Sequence, residues 1–227
     1  MKQMKNVCVL LATSFLSLAP LGLHAQDWAH RGYINFDGGP FWMMDTTVKD
    51  VFGPVPAGSE MSFETGGRFG ITFGYHVTDW FSGEFETAFL ANGVKHLDYA
   101  QSFDANVFTV PLMLNARFQL PTHTRFVPYI GGGLGGMSSV LDVDHLDYLG
   151  SSFSGSASDI VFAAQAIAGF QVAISQHVGM GLEYRFLYAT GPQYEVDWGW
   201  YWNVYSDHIE LGDMIIHMAS IHVDVTF

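Results

Sequence analysis

The sequence predicts an all-β fold, a single eight-stranded antiparallel transmembrane β-barrel. Three observations predict it: a removable leader, high apolarity without one long apolar run, and repeated period-2 alternation. The 227 residues are 49% hydrophobic and 15% aromatic but only 14% charged, whereas soluble domains carry about 25% charged residues. The most apolar internal stretch, 160–174, is interrupted by Gln165 and Gln171. It falls short of the roughly 18 or more apolar residues of a spanning helix. Within lipid only helices and closed barrels satisfy their own backbone groups, so an exported chain of this kind must cross with strands.

The leader comes first. Lys2 and Lys5 precede an apolar stretch, 7–18, which Pro20 and Gly22 break before Leu23-His24-Ala25. This is the order of a secretory signal peptide, so residues 1–25 are expected to be removed and 26–227 to form the barrel domain. The single cysteine, Cys8, lies inside the leader, so the remaining chain is expected to hold neither disulfide nor cysteine-bound metal. The chain carries 22 acidic and 9 basic residues, net −13, and losing Lys2 and Lys5 takes it to −15. Such a balance excludes a nucleic-acid binder, which needs clustered Lys and Arg for phosphate.

The strands follow in order. Residues 33–44 read as the first, with Ile34 and Phe36 outward. In 68–75, Phe69, Ile71, Phe73 and Tyr75 share one face, and in 81–89 Phe81, Phe85 and Phe89 oppose Ser82, Glu84 and Glu86. Phe108, Val110, Leu112, Leu114, Phe118 and Leu120 form the next outward stripe. The stretch 126–136 is β-like and glycine-rich, with its facing open. In 160–174, Phe162, Ala164, Ala166, Ala168, Phe170 and Val172 are expected outside. Met180, Leu182, Tyr184 and Phe186 follow, and last come Ala219, Ile221, Val223, Val225 and Phe227. The connections at 76–79, 121–124 and 175–177 are short, and those at 45–61, 92–104, 138–159 and 189–213 are long. Three short periplasmic turns and four long extracellular loops, expected as irregular backbone, thread eight strands.

Several segments together resemble the OmpA-like and opacity-type porin family of outer-membrane barrels. They are Phe69-Gly70-Ile71-Thr72-Phe73-Gly74-Tyr75, Glu84-Phe85-Glu86, Val110-Pro111-Leu112, the run from Pro128 through Gly135, Gly181-Leu182-Glu183-Tyr184-Arg185, and the terminal Phe227. The resemblance covers nearly all of the chain after the leader. It implies an outer-membrane location, with outer-membrane lipid and the assembly machinery as partners and Phe227 as the assembly signal. It implies no shared reaction.

Three patterns invite chemistry and are weighed against plainer readings. Ser220, His222 and Asp224 share the inward face of the last strand, but positions two apart on a strand stand roughly 6.6 Å apart, so their order does not assemble a triad. Asp142, Asp144, His145 and Asp147 could offer oxygen ligands, yet they lack the spacing and turn glycine of a calcium loop. Gly131 to Gly136 lack the Lys-Ser/Thr of a phosphate loop. The expectation is therefore no catalysis, no cofactor and no metal.

Two candidate sites remain. Arg68, Glu84, Glu86, Arg117, Glu183 and Arg185 all fall on inward faces, and three carboxylates against three guanidiniums suggest a charge-balanced cluster plugging the lumen. Trp198, Trp200, Tyr201 and Trp202 form a candidate surface for an extracellular ligand, and such aromatics are equally expected at a membrane–water interface. The expected role is structural or surface-interacting, as a monomer. A narrow small-solute channel is the alternative and an outer-membrane lipid hydrolase the third reading. Eight strands leave an interior that side chains just fill, which counts against conduction.

Overall fold

The computed structural model describes residues 30–51, 55–98, 102–122, 124–148, 151–200 and 203–227. The leader, Tyr201 and Trp202 lie outside them. Among the described residues there are twelve strands: β1 (Gly32–Met43), β2 (Thr46–Val51), β3 (Glu60–Phe63), β4 (Gly66–His76), β5 (Phe81–Leu97), β6 (Ser102–Gln119), β7 (Phe126–Tyr148), β8 (Ser151–Ala173), β9 (Val178–Ala189), β10 (Gln193–Trp200), β11 (Asn203–Leu211) and β12 (Met214–Thr226). Eight of them, in the order β1–β4–β5–β6–β7–β8–β9–β12, close an antiparallel barrel. The closing ladder runs from Tyr33↔Thr226 to Met43↔Ile216 without a register shift.

The outward stripes stand where alternation puts them. Phe69, Phe73, Phe85, Phe89, Leu112, Leu114, Phe162, Leu182 and Ile221 are all exposed. On β7, whose facing the sequence left open, Phe126, Ile130 and Leu134 are exposed while Val127 and Tyr129 are buried. This outward band ends at Leu134 on β7 and Ile160 on β8, although both strands run on well past it.

That continuation corrects the expectation of irregular loops. Beyond the band β5, β6, β7 and β8 stay paired, β3 adds to β5, β2 to β3, β11 to β2 and β10 to β11. β10 comes back against β8, where the Gln193 N–H donates to Asp159 Oδ2 at 2.8 Å. The result is a second tier, a head, standing on the barrel at the end away from the short turns. Its interior is apolar, with Val48, Met61, Leu97, Val107, Leu141, Tyr194, Ile209 and Leu211 buried together. The physical reason is a reversal of solvent. In lipid the apolar residues of an alternating strand face out, whereas in water they face in. The strand period of two continues through the change, but the outward hydrophobes that mark a lipid-facing strand stop.

The same switch occurs inside the barrel. Along β12 the inward residues run Asp224, His222, Ser220 and then Met218, Ile216, Met214. Along β5 they run Ser82, Glu84, Glu86 and then Ala88, Leu90. A polar interior is therefore confined to the half near the short turns. In the head-side half, Phe41, Leu90, Met113, Met137, Leu187, Met214, Ile216 and Met218 pack into one apolar layer.

Candidate functional site: the polar layer of the lumen

Each ionic side chain in the lumen arrives on a strand position that the lipid-facing pattern forces inward. The structure brings all six expected residues together, each at most 7% exposed. Arg68 on β4 pairs with Asp37 on β1, donates from Nη2 to Glu86 Oε1 at 2.7 Å, and from Nη1 to Ser220 Oγ at 3.2 Å. Arg185 reaches across from β9 to the same Glu86 oxygen, and its Nε lies 2.5 Å from Glu183 Oε1. The other Glu86 oxygen accepts from Asn115 Nδ2 at 2.8 Å and Gln165 Nε2 at 2.7 Å. Glu86 is thus the hub, tying β4, β5, β6, β8 and β9 together across the lumen.

Arg117 on β6 makes a second group. Its Nη1 lies 3.5 Å from Glu84 Oε1 and 3.9 Å from Asp224 Oδ1, and Nη2 donates to Gln171 Oε1 at 3.0 Å. The guanidinium stands 3.6 Å over the Tyr129 ring, close enough for a desolvated cation–π contact. The Tyr33 hydroxyl donates to Glu84, and the Tyr129 hydroxyl to Glu183 Oε2 at 2.9 Å. Tyr129 therefore links the two groups. Asn35 Nδ2 donates to Asp224 Oδ1 at 2.8 Å, and Asp224 Oδ2 lies 3.3 Å from His222 Nε2.

Glycine makes room for these large side chains. A Cβ on Gly133 would run into the Asn115 amide, and one on Gly70 would run into the Asp37–Arg68 pair. The glycines of β7 and β4 therefore serve the packing of the lumen rather than a phosphate.

The expected charge balance needs correction. Asp37 and Asp224 belong to the same network, so five carboxylates face three guanidiniums. Both residues were readable: Asp37 alternates with the outward Phe36, and Asp224 with Val223 and Val225. The closing seam, where β1 meets β12, supplies the rest.

The remaining candidates fall elsewhere. Ser220 Oγ accepts from Arg68 rather than standing with His222. Phe227 is 71% exposed at the rim, its N–H donating to Gly32 O at 2.9 Å. Trp198 and Trp200 lie on β10 in the head, beside the undescribed Tyr201 and Trp202. Asp142, Asp144, His145 and Asp147 lie on the head part of β7. Among the described residues no three His, Cys, Asp or Glu side chains are arranged to hold a metal ion.

Comparison with known proteins agrees with this geometry. In solved structures the fold is similar to the outer membrane protein OprG from Pseudomonas aeruginosa. The identity is 17%, the match covers 89% of this chain and 99% of that one, and the TM-score is 0.58. It is also similar to the outer membrane protein AlkL as determined in DMPC lipid bilayers, at 15% identity, 92% and 95% coverage and a TM-score of 0.52. At these identities the likeness shows the fold alone. No curated protein sequence matches the chain. Residues 8–227 match the model of the outer membrane protein beta-barrel domain, and the chain belongs to that family of outer-membrane barrels.

Proposed function

We propose that the protein is a membrane-anchored surface platform, whose barrel holds the head at the cell exterior and does not conduct. The observation that carries this reading is the filling of the lumen by buried side chains at two successive levels. A buried ionic layer is followed by an apolar layer of methionine, leucine and phenylalanine, while the strands continue into a folded head. A continuous apolar layer excludes hydrated ions, which disfavours the narrow-channel alternative. Ser220 bonded to Arg68 offers no support to the hydrolase reading.

The head's composition suggests what it meets. Segments 45–64, 92–104, 138–159 and 189–213 hold fifteen acidic and two basic residues. A field of one sign steers partners of the other, so the partner is a cationic protein or peptide. Export by cleavage after Ala25, assembly through Phe227 and a monomeric state complete the proposal.

Planar bilayers and proteoliposomes test it together. Purified protein is expected to give no steady single-channel current. It is also expected to bind polylysine in a manner that weakens steeply with salt, and to lose that binding when β10 and β11 are replaced by a short turn. Steady ohmic current from the intact protein would overturn the platform reading in favour of a channel. Salt-independent polylysine binding would overturn the cationic partner.

A further inference from the structure

The lipid-facing wall is not uniformly filled. On β1, β12, β9 and β8 one ladder row holds Pro40, Ala219, Tyr184 and Ala168 at neighbouring outward positions. The row on its turn side holds Gly38, Ile221, Leu182 and Phe170, and the row on its head side Trp42, His217, Phe186 and Ala166. Small side chains at Gly38, Pro40, Ala219 and Ala168, set among the larger Tyr184, Phe170, Leu182 and Ile221, leave an apolar groove of about 430 Å³.

An independent observation marks the head-side end of this groove. The Tyr184 hydroxyl and His217 Nδ1 are 2.6 Å apart on the outer surface, and His217 also packs edge-on against Phe186. Trp42, beside His217 across the ladder, is 43% exposed, as expected of an aromatic at the lipid–water boundary. With Nδ1 engaged by Tyr184, Nε2 is the ring atom left to face the bilayer. Hydrocarbon offers it nothing, and an unpaired polar group in lipid is costly. A lipid oxygen at that depth satisfies it.

We propose that the groove and His217 together form a binding site for one ester-linked acyl lipid of the head-side leaflet. One acyl chain lies across Pro40, Ala219 and Ala168, held between Tyr184 and Phe170. The ester carbonyl accepts a hydrogen bond from His217 Nε2, while Tyr184 donates to Nδ1 and orients the ring. A second copy of the chain would bury the apolar groove equally well; the ester carbonyl that a lipid carries to the depth of His217 favours the lipid.

Native mass spectrometry of the intact protein tests this. After exchange from diacyl phosphocholine vesicles into mild detergent, the wild type is expected to retain one lipid. Retention is expected to fall about tenfold for the ether-linked analogue of the same chain length, which lacks the carbonyl, the scale of one lost hydrogen bond. His217→Phe keeps the ring packing and is expected to lose the ester-over-ether preference. Ala219→Leu and Ala168→Leu each fill the groove from a different strand and are expected to abolish retention while the barrel still resists unfolding in detergent. Equal retention of ester and ether lipids, retention unchanged in both leucine variants, or a dimer that the leucine variants dissociate would each overturn the proposal.

Discussion

The two halves of the lumen share one backbone and solve the interior in opposite ways. On the turn side, Glu86, Arg68 and Arg185 meet at fixed angles, and the groups depend on one another. On the head side, five methionines, Met43, Met113, Met137, Met214 and Met218, fill the space with three-rotor side chains that need only volume. The ionic half leaves buried atoms such as Thr72 Oγ1 and Gln165 Oε1 with no hydrogen-bond partner among the described residues. The apolar half packs with less demand on geometry. The two halves divide the labour. A one-residue slip would put Arg68 or Glu86 into lipid, so the ionic layer specifies register, while the methionine layer tolerates error in packing.

Substitutions can break this contrast. The largest effect is expected from Arg185→Ala, which strands Glu86 and Glu183 in the interior. Urea unfolding from vesicles should show a loss of about 3–5 kcal/mol, with Arg117→Ala close behind. Adding Glu86→Gln to Arg185→Ala should recover part of that loss, and no recovery would mean the pair is not coupled. Met218→Ala removes packing without stranding a charge and should cost about 2–4 kcal/mol by the same measurement. A methionine variant costing more than Arg185→Ala would reverse the division of labour.

Smaller effects are expected in the head. Tyr194 is buried, bonded to Ser139 Oγ at 2.7 Å, and burial pushes its hydroxyl up to about 12. Because its folded value lies above the ordinary one near 10, its contribution is full below that value and is lost as pH rises toward about 12. Ultraviolet titration should show a late-ionising tyrosine that is missing in Tyr194→Phe, a change costing about 1 kcal/mol. The least effect belongs to Lys49 and Glu210, 2.9 Å apart on β2 and β11. The hydrogen bond from Lys49 holds the Glu210 carboxyl below its usual 4.5. Its contribution is present above 4.5 and lost as pH falls through the depressed value. Amide-exchange protection along β2 and β11 should weaken slightly on acidification, and Lys49→Ala should remove that pH dependence.

The barrel was legible because lipid writes a plain code: Phe69, Phe73, Phe85 and Ile221 stand outside as their alternation requires. The core of the site was legible for the same reason, since whatever opposes an outward Phe must face in. The head was not. Ala105 and Val107 on β6 alternate as well as Leu112 and Leu114 do, but their apolar face points inward, and a reading that follows outward hydrophobes ends at the bilayer. Asp37 and Asp224 lie on β1 and β12, the two strands from opposite ends of the chain that meet at the closing seam. Local periodicity gives their facing but not which strands meet.

That distance has a consequence for when the protein can become itself. Asn35 and Asp224 are 189 residues apart, yet they share a hydrogen bond across the seam that closes the barrel. The hairpins β4–β5, β6–β7 and β7–β8 join neighbours in sequence and are available early. The closing seam must wait for β12 and for the loop-closure entropy of nearly the whole chain. Until then Asp37, Arg68 and Glu86 lie on an open, unfinished wall. Closure of the barrel is therefore expected to come last, after the hairpins have formed.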